Sequence, residues 1–239
     1  MMSGGKPQRK SGKTARNGEV INSVFRDRAR TNLLKKQEQV TIFWLVQRMP
    51  DWLTSNMLTA LGFFGYIIVF GSFLLATFVS RTYLLLGIIG FAINWFGDSL
   101  DGRLAYYRKK PRKQYGFALD ITIDWLSIIL IGMGYIVYID GAWELFGYGF
   151  VVMYGWEMIV ALIRYKLTGK YSIDAGKMSP TEVRIFVGAI MIGEVVLPGS
   201  LVYTAAALVI AIFIVNIMDT RRLLRIADEI DKKELQDKS

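Results

Sequence analysis

Two short segments carry the residues able to do chemistry: Asp98-Ser-Leu-Asp101-Gly102-Arg103-Leu-Ala105, and, after a basic stretch, Gly116-Phe-Ala-Leu-Asp120-Ile-Thr-Ile-Asp124. Both lie in or beside strongly apolar sequence, where an ionised side chain is costly and usually functional. Asp98 and Asp101 are three apart and Asp120 and Asp124 four apart, so on helices each pair lines one face. Four negative charges converging in a low-dielectric groove repel, and such clusters are normally held together by cations. A pair of divalent ions, roughly 3.5–4 Å apart, stabilises the attacking and leaving oxygens of a phosphoryl displacement. Gly102, directly after the second Asp, lets a phosphate or nucleotide approach the backbone, and Gly116 serves either that end or close helix packing. A carboxylate not saturated by metal can take a proton from a hydroxyl nucleophile. Asp124, deepest on its helix, is the candidate.

Composition limits the alternatives. The chain has 239 residues, is 53% hydrophobic, and contains neither Cys nor His. Disulfides, thiolate metal sites and thiol nucleophiles are therefore excluded. A general base must be a carboxylate, Lys or Tyr, and a metal site must be oxygen-lined, which favours Mg²⁺ or Mn²⁺ over Zn²⁺. Of the net charge of +9, most lies in residues 1–36, which hold ten Lys or Arg against Glu19 and Asp27. That tail has no apolar run and is expected to be neither signal peptide nor anchor. A polybasic arm on anionic headgroups and a solvated disordered tail are both open readings. Without a binding fold beside it, no nucleic-acid partner is expected.

The chain divides into a basic tail (1–32), a juxtamembrane amphipathic helix (33–50) carrying Val40, Ile42, Phe43, Trp44, Leu45 and Val46, a membrane domain (51–220) and a charged C-terminal tail (221–239). The expected fold is all-α: a six-transmembrane-helix bundle preceded by an N-terminal interfacial amphipathic helix. Hydropathy places the spans near 57–79, 83–96, 117–139, 143–163, 183–197 and 201–218. The second is expected to continue beyond Phe96 into the Asp-bearing segment, and the fifth to begin across Ser179-Pro180-Thr181-Glu182. With both termini cytoplasmic, 28 of the 29 Lys and Arg fall on the inner side and only Arg81 on the outer. The positive-inside rule is met, with the carboxylates facing the cytoplasm.

The pattern Asp98-x-x-Asp101-Gly102-x-x-Ala105 … Gly116-x-x-x-Asp120-x-x-x-Asp124 resembles the motif of the CDP-alcohol phosphotransferases (CDP-alcohol phosphatidyltransferases). The resemblance implies a two-metal site of Asp98, Asp101, Asp120 and Asp124, with Asp124 also deprotonating the acceptor hydroxyl. It implies attack of a small polar alcohol on the lipid-linked phosphate of CDP-diacylglycerol, release of CMP, and a homodimer. Gly102 would lie against the cytidine nucleotide. Ser55-Asn56-Met57-Leu58-Thr59 resembles the family's P-N-x-x-T, so Asn56 and Thr59 are candidate pocket residues; N-capping of the first span by Ser55 or Asn56 is the plainer reading. The chain departs from the motif at Tyr106, where the family has Arg, and Arg103 or Arg108 is expected to supply that charge.

Weaker signals have structural readings beside the functional ones. Glu157 and Arg164 share a helix face and suggest a structural pair. Glu194 falls toward the outer end of the fifth span, at an interface or subunit contact. Arg164, Lys166, Lys170, Lys177, Arg184, Arg221 and Arg222 lie on the metal side. Arg184 and Arg221 adjoin span ends and are candidates for binding a phosphorylated acceptor such as inositol phosphate or glycerol phosphate; topology alone would also put basic residues there. Two other functions compete: a transferase joining a soluble CDP-alcohol, such as CDP-choline or CDP-ethanolamine, to diacylglycerol, and a catalytically degenerate, cation-binding membrane protein.

Overall fold

The computed structural model describes residues 35–169 and 180–236. The basic tail, Lys170, Lys177 and the last three residues lie outside it. Among the described residues there is no strand. Seven helices follow one another: α1 (Lys35–Val46), α2 (Ser55–Phe78), α3 (Leu85–Tyr107), α4 (Lys113–Tyr138), α5 (Leu145–Thr168), α6 (Pro180–Val196) and α7 (Ser200–Gln236), with 3₁₀ turns at Arg81–Leu84 and Gly141–Glu144.

Among the described residues, five segments are long and apolar enough to cross a membrane: Ser55–Phe78, Arg81–Tyr107, Lys113–Tyr138, Gly141–Thr168 and Ser200–Gln236. Each exceeds the ~20 residues that a hydrocarbon core of about 30 Å requires. The other expected span, 183–197, is α6, whose 17 residues fall short of that measure. Pro180 opens it, and Leu197-Pro198-Gly199 ends it, with Gly199 left-handed at φ 87°. Proline is tolerated at a first helical position and stops a helix elsewhere, so the sequence fixes both ends. Short as it is, α6 runs from the cleft described below to the opposite end of the bundle, where Glu194 accepts a hydrogen bond from the Tyr138 hydroxyl at 3.0 Å. As expected, the second span continues past Phe96 to Tyr107.

The most extensive packing is between α2 and α3; α2 also packs on α4, α4 on α5, α5 on α7, and α6 on α3 and α7. Lipid tails are as apolar as Leu, so helices in a membrane associate through close van der Waals fit and interhelical hydrogen bonds. Gly62 and Gly65 on α2 meet Gly90, Asn94 and Gly97 on α3, and a Cβ at Gly97 would collide with the Leu58 carbonyl and the Gly62 backbone. The Asn94 amide fastens the seam, donating to the Gly62 carbonyl at 3.1 Å.

Apolar side chains gather in two clusters. Val69, Phe73, Leu84, Phe91, Tyr135, Met191 and Leu201 fill the end away from the acidic residues. At the other end Ile42 and Val46 of α1 are buried against Leu58, Leu100 and Leu104, while Val40 and Trp44 are exposed. A helix therefore occupies the expected juxtamembrane segment, with one edge turned into the protein.

Several local expectations change. Thr54, not Ser55 or Asn56, caps α2: its hydroxyl accepts from the Met57 amide at 3.2 Å. Arg164 also reaches α7, forming an ion pair with Asp219 at 3.4 Å. Glu194 is buried, accepting from the backbone amides of Gly199 at 2.9 Å and Leu201 at 2.7 Å. It supplies the acceptor for the orphan amides that every helix start presents.

Candidate active site

A cleft opens where α2, α3 and α4 diverge, lined by Thr59, Gly62 and Phe63, by Asn94, Asp98 and Asp101, and by Asp120, Ile123 and Asp124. All four expected carboxylates thus face one space. Helix geometry does this: residues three or four apart share a face, and the α2–α3 glycine seam sets α3 so that its Asp face turns toward α4. The carboxylates lie about two to three turns inside their helices rather than on loops, which holds them rigidly.

Asp101 and Asp98 are held from other helices. The Thr59 hydroxyl donates to Asp101 Oδ2 at 2.6 Å, and the Ser55 hydroxyl donates to the Asp101 carbonyl at 2.9 Å. Asp98 Oδ2 accepts from the guanidinium of Arg184 on α6 at 2.5 Å. Asn94 and Tyr66 were missed in the sequence. Asn94 stands four residues before Asp98, so a polar residue on the Asp face of an apolar segment was its signal. Tyr66, seven after Thr59 on α2, lies against Arg184.

The remaining sequence candidates go elsewhere. Asn56 is tied to the α3–α4 connection: its carbonyl oxygen accepts from Arg112 and its amide donates to the Tyr115 hydroxyl at 3.2 Å. Arg108 donates to the carbonyls of Pro50 at 2.7 Å and Leu53 at 2.5 Å. It braces the turn before α2, and the cleft does not receive it. Arg103 is half-buried on α3 and Arg221 exposed on α7; neither lines the cleft.

Gly102 and Gly116 differ from the packed glycines of the α2–α3 seam. A Cβ at either would meet nothing within 4 Å. Packing does not require glycine at these two helical positions, though glycine there costs about 1 kcal/mol of helix propensity relative to Ala. The open backbone beside Asp101 leaves room for a ligand to approach.

Among the described residues no three acidic groups are gathered closely enough to hold an ion. Asp98 and Asp101 each turn an oxygen to a partner on another helix, Arg184 and Thr59. The donor set nevertheless fits a hard divalent cation: four carboxylates from two facing helices, with no nitrogen or sulfur ligand.

An apolar helical bundle with a polar cleft sunk into one end is an integral membrane protein. The family model of the CDP-alcohol phosphatidyltransferases matches residues 52–218, and the chain belongs to that family. The match spans α2 to the apolar part of α7 and contains every residue that lines the cleft. Comparisons with curated proteins and with solved structures give no match.

Proposed function

We propose that this protein transfers a phosphatidyl group from CDP-diacylglycerol to a small polar alcohol, releasing CMP. The observation that carries the reading is the cleft itself: four carboxylates from two helices facing one space, beside the open backbone of Gly102. Asp98, Asp101, Asp120 and Asp124 would hold Mg²⁺ or Mn²⁺, which when bound stabilises charge developing on the phosphoryl oxygens. Asp124, one turn deeper than Asp120, accepts the proton of the alcohol as its oxygen bonds to the lipid-linked phosphorus and the bond to CMP breaks. Thr59 orients Asp101. The nucleotide lies over Gly102, and the Lys and Arg residues on the same side of the bundle favour an anionic acceptor such as inositol phosphate or glycerol phosphate.

The reading places six crossings in the membrane, α6 included, with both termini and the cleft on the cytoplasmic side. The run of α6 from Asp98 to Tyr138 supports its inclusion. The inner concentration of Lys and Arg supports the orientation. Trp44 and Arg48, stacked with the guanidinium 4.0 Å from the ring centre, suit α1 to the headgroup layer. The assembly is a homodimer, as the family resemblance implies. Incubating purified protein with labelled CDP-diacylglycerol, Mg²⁺ or Mn²⁺ and a panel of alcohols tests the reading, with CMP and one new phospholipid as the expected products. Product formation only from CDP-choline or CDP-ethanolamine with diacylglycerol would reverse donor and acceptor. No CMP release from any pair would leave a cation-binding protein without chemistry.

A further inference from the structure

Arg184 reaches the cleft from outside the acidic motif, 86 residues from its partner. Its side chain is only 10% exposed and that of Asp98 22%, with 2.5 Å between guanidinium and carboxylate. The Tyr66 hydroxyl packs against the same guanidinium. Its Nε is buried without a hydrogen-bond partner among the described residues. A buried donor left unmatched is costly, so this arrangement is not the best one a guanidinium could find. What favours it is the charge around Asp98, which shares its cleft with three further carboxylates. A fixed positive charge beside Asp98 relieves their repulsion.

The same contact opposes a cation. Arg184 takes one lone pair of Asp98 Oδ2, and an ion placed beside that carboxylate would stand a few ångströms from a guanidinium in a poorly screened site. Resting on the cation reading of the cleft, we propose that Arg184 is a resident counter-ion that occupies Asp98 when the cleft is empty and competes with the divalent cation for that carboxylate. Arg184 is thus a positioning residue. It keeps four acids together before metal arrives and sets how tightly metal is held.

Binding of Mn²⁺ to the purified protein, read from the electron paramagnetic resonance signal of the free ion, tests this without turnover. Arg184→Gln should bind Mn²⁺ at least about tenfold tighter than wild type, since a neighbouring unit charge has been removed at low screening. Tyr66→Phe, which only loosens the guanidinium, should shift affinity in the same direction by less and covers the case in which Arg184→Gln fails to fold. Adding Asp98→Asn to Arg184→Gln should erase the gain. Without metal, Arg184→Gln should melt below wild type, and saturating Mn²⁺ should narrow that gap. Unchanged or weaker Mn²⁺ binding by folded Arg184→Gln and Tyr66→Phe would overturn the competition while leaving the cation site standing. No Mn²⁺ binding by any of the proteins would overturn the cation reading, and the proposal with it.

Discussion

Asp98 and Asp101 stand one turn apart on α3, yet one is met by a guanidinium from α6 and the other by a hydroxyl from α2. This difference predicts different mutant behaviour. Thr59→Val should leave the fold intact and raise the Mn²⁺ concentration needed for half-maximal CMP release several-fold, because Asp101 loses its orienting donor. Asp124→Asn should lower turnover by about 10²-fold or more at every metal concentration, since an amide cannot accept the hydroxyl proton. A near wild-type rate in that variant would remove Asp124 as the base. Arg108 belongs to neither class. Its bonds to the carbonyls of Pro50 and Leu53 predict that Arg108→Ala loses about 1–2 kcal/mol of stability, seen as a lowered melting temperature, with the donor KM little changed. The acids were readable from spacing alone because i,i+3 and i,i+4 pairs can only share a face. The basic residues were not: an Arg side chain reaches several ångströms, and sequence proximity does not say which way it turns. Thr54, Ser55 and Asn56 show the same limit. All three are good caps, and the choice was made by Asp101, whose carbonyl holds the Ser55 hydroxyl, and by Arg112, which donates to the Asn56 side-chain oxygen.

Among the helices, glycine does two separable jobs. In the α2–α3 seam it permits backbone contact, and at Gly102 it leaves space. Gly97→Ala should therefore cost about 2 kcal/mol or more, since the obstruction is backbone that cannot rotate away. Gly102→Ala should fold at least as stably as wild type, helped by up to about 1 kcal/mol of helix propensity, while raising the KM for the CDP donor. Melting curves and donor titrations on the two variants separate these outcomes. A destabilised Gly102→Ala with unchanged KM would show that this glycine serves folding. Most of the helices could be read from hydropathy because apolar runs of this length have few other solutions in a membrane. The short α6 was also found, but its polar side chains were not placed: Arg184 and Glu194 look alike in sequence, as isolated charges near span ends. One meets the acidic cleft, and the other closes the turn into α7.

Across the whole molecule, the turns near Arg81, Asp140 and Gly199 lie at one end and the α3–α4 connection at the other, with the cleft. The chain has no Cys, so single cysteines can be introduced without background. A membrane-impermeant thiol reagent should label Lys110→Cys only from the cytoplasmic side and Arg81→Cys or Asp140→Cys only from the opposite side. Labelling of all three from one face would overturn the crossing pattern and the placement of the site.

The last helix has a mechanical consequence. Its 37 residues extend about 55 Å at 1.5 Å per residue, well beyond the thickness of the hydrocarbon core. Within the bundle it is hooked to α5 by Asn216, which donates to the Met153 carbonyl at 2.8 Å, and by Thr220, which accepts from Trp156 at 3.1 Å. Beyond those hooks it continues to Gln236 without a break. Such a rod has torsional stiffness but no joint. A twist applied at residues 228–236 is therefore carried along unbroken helix toward Thr220 and Asn216, where α7 is clasped to α5.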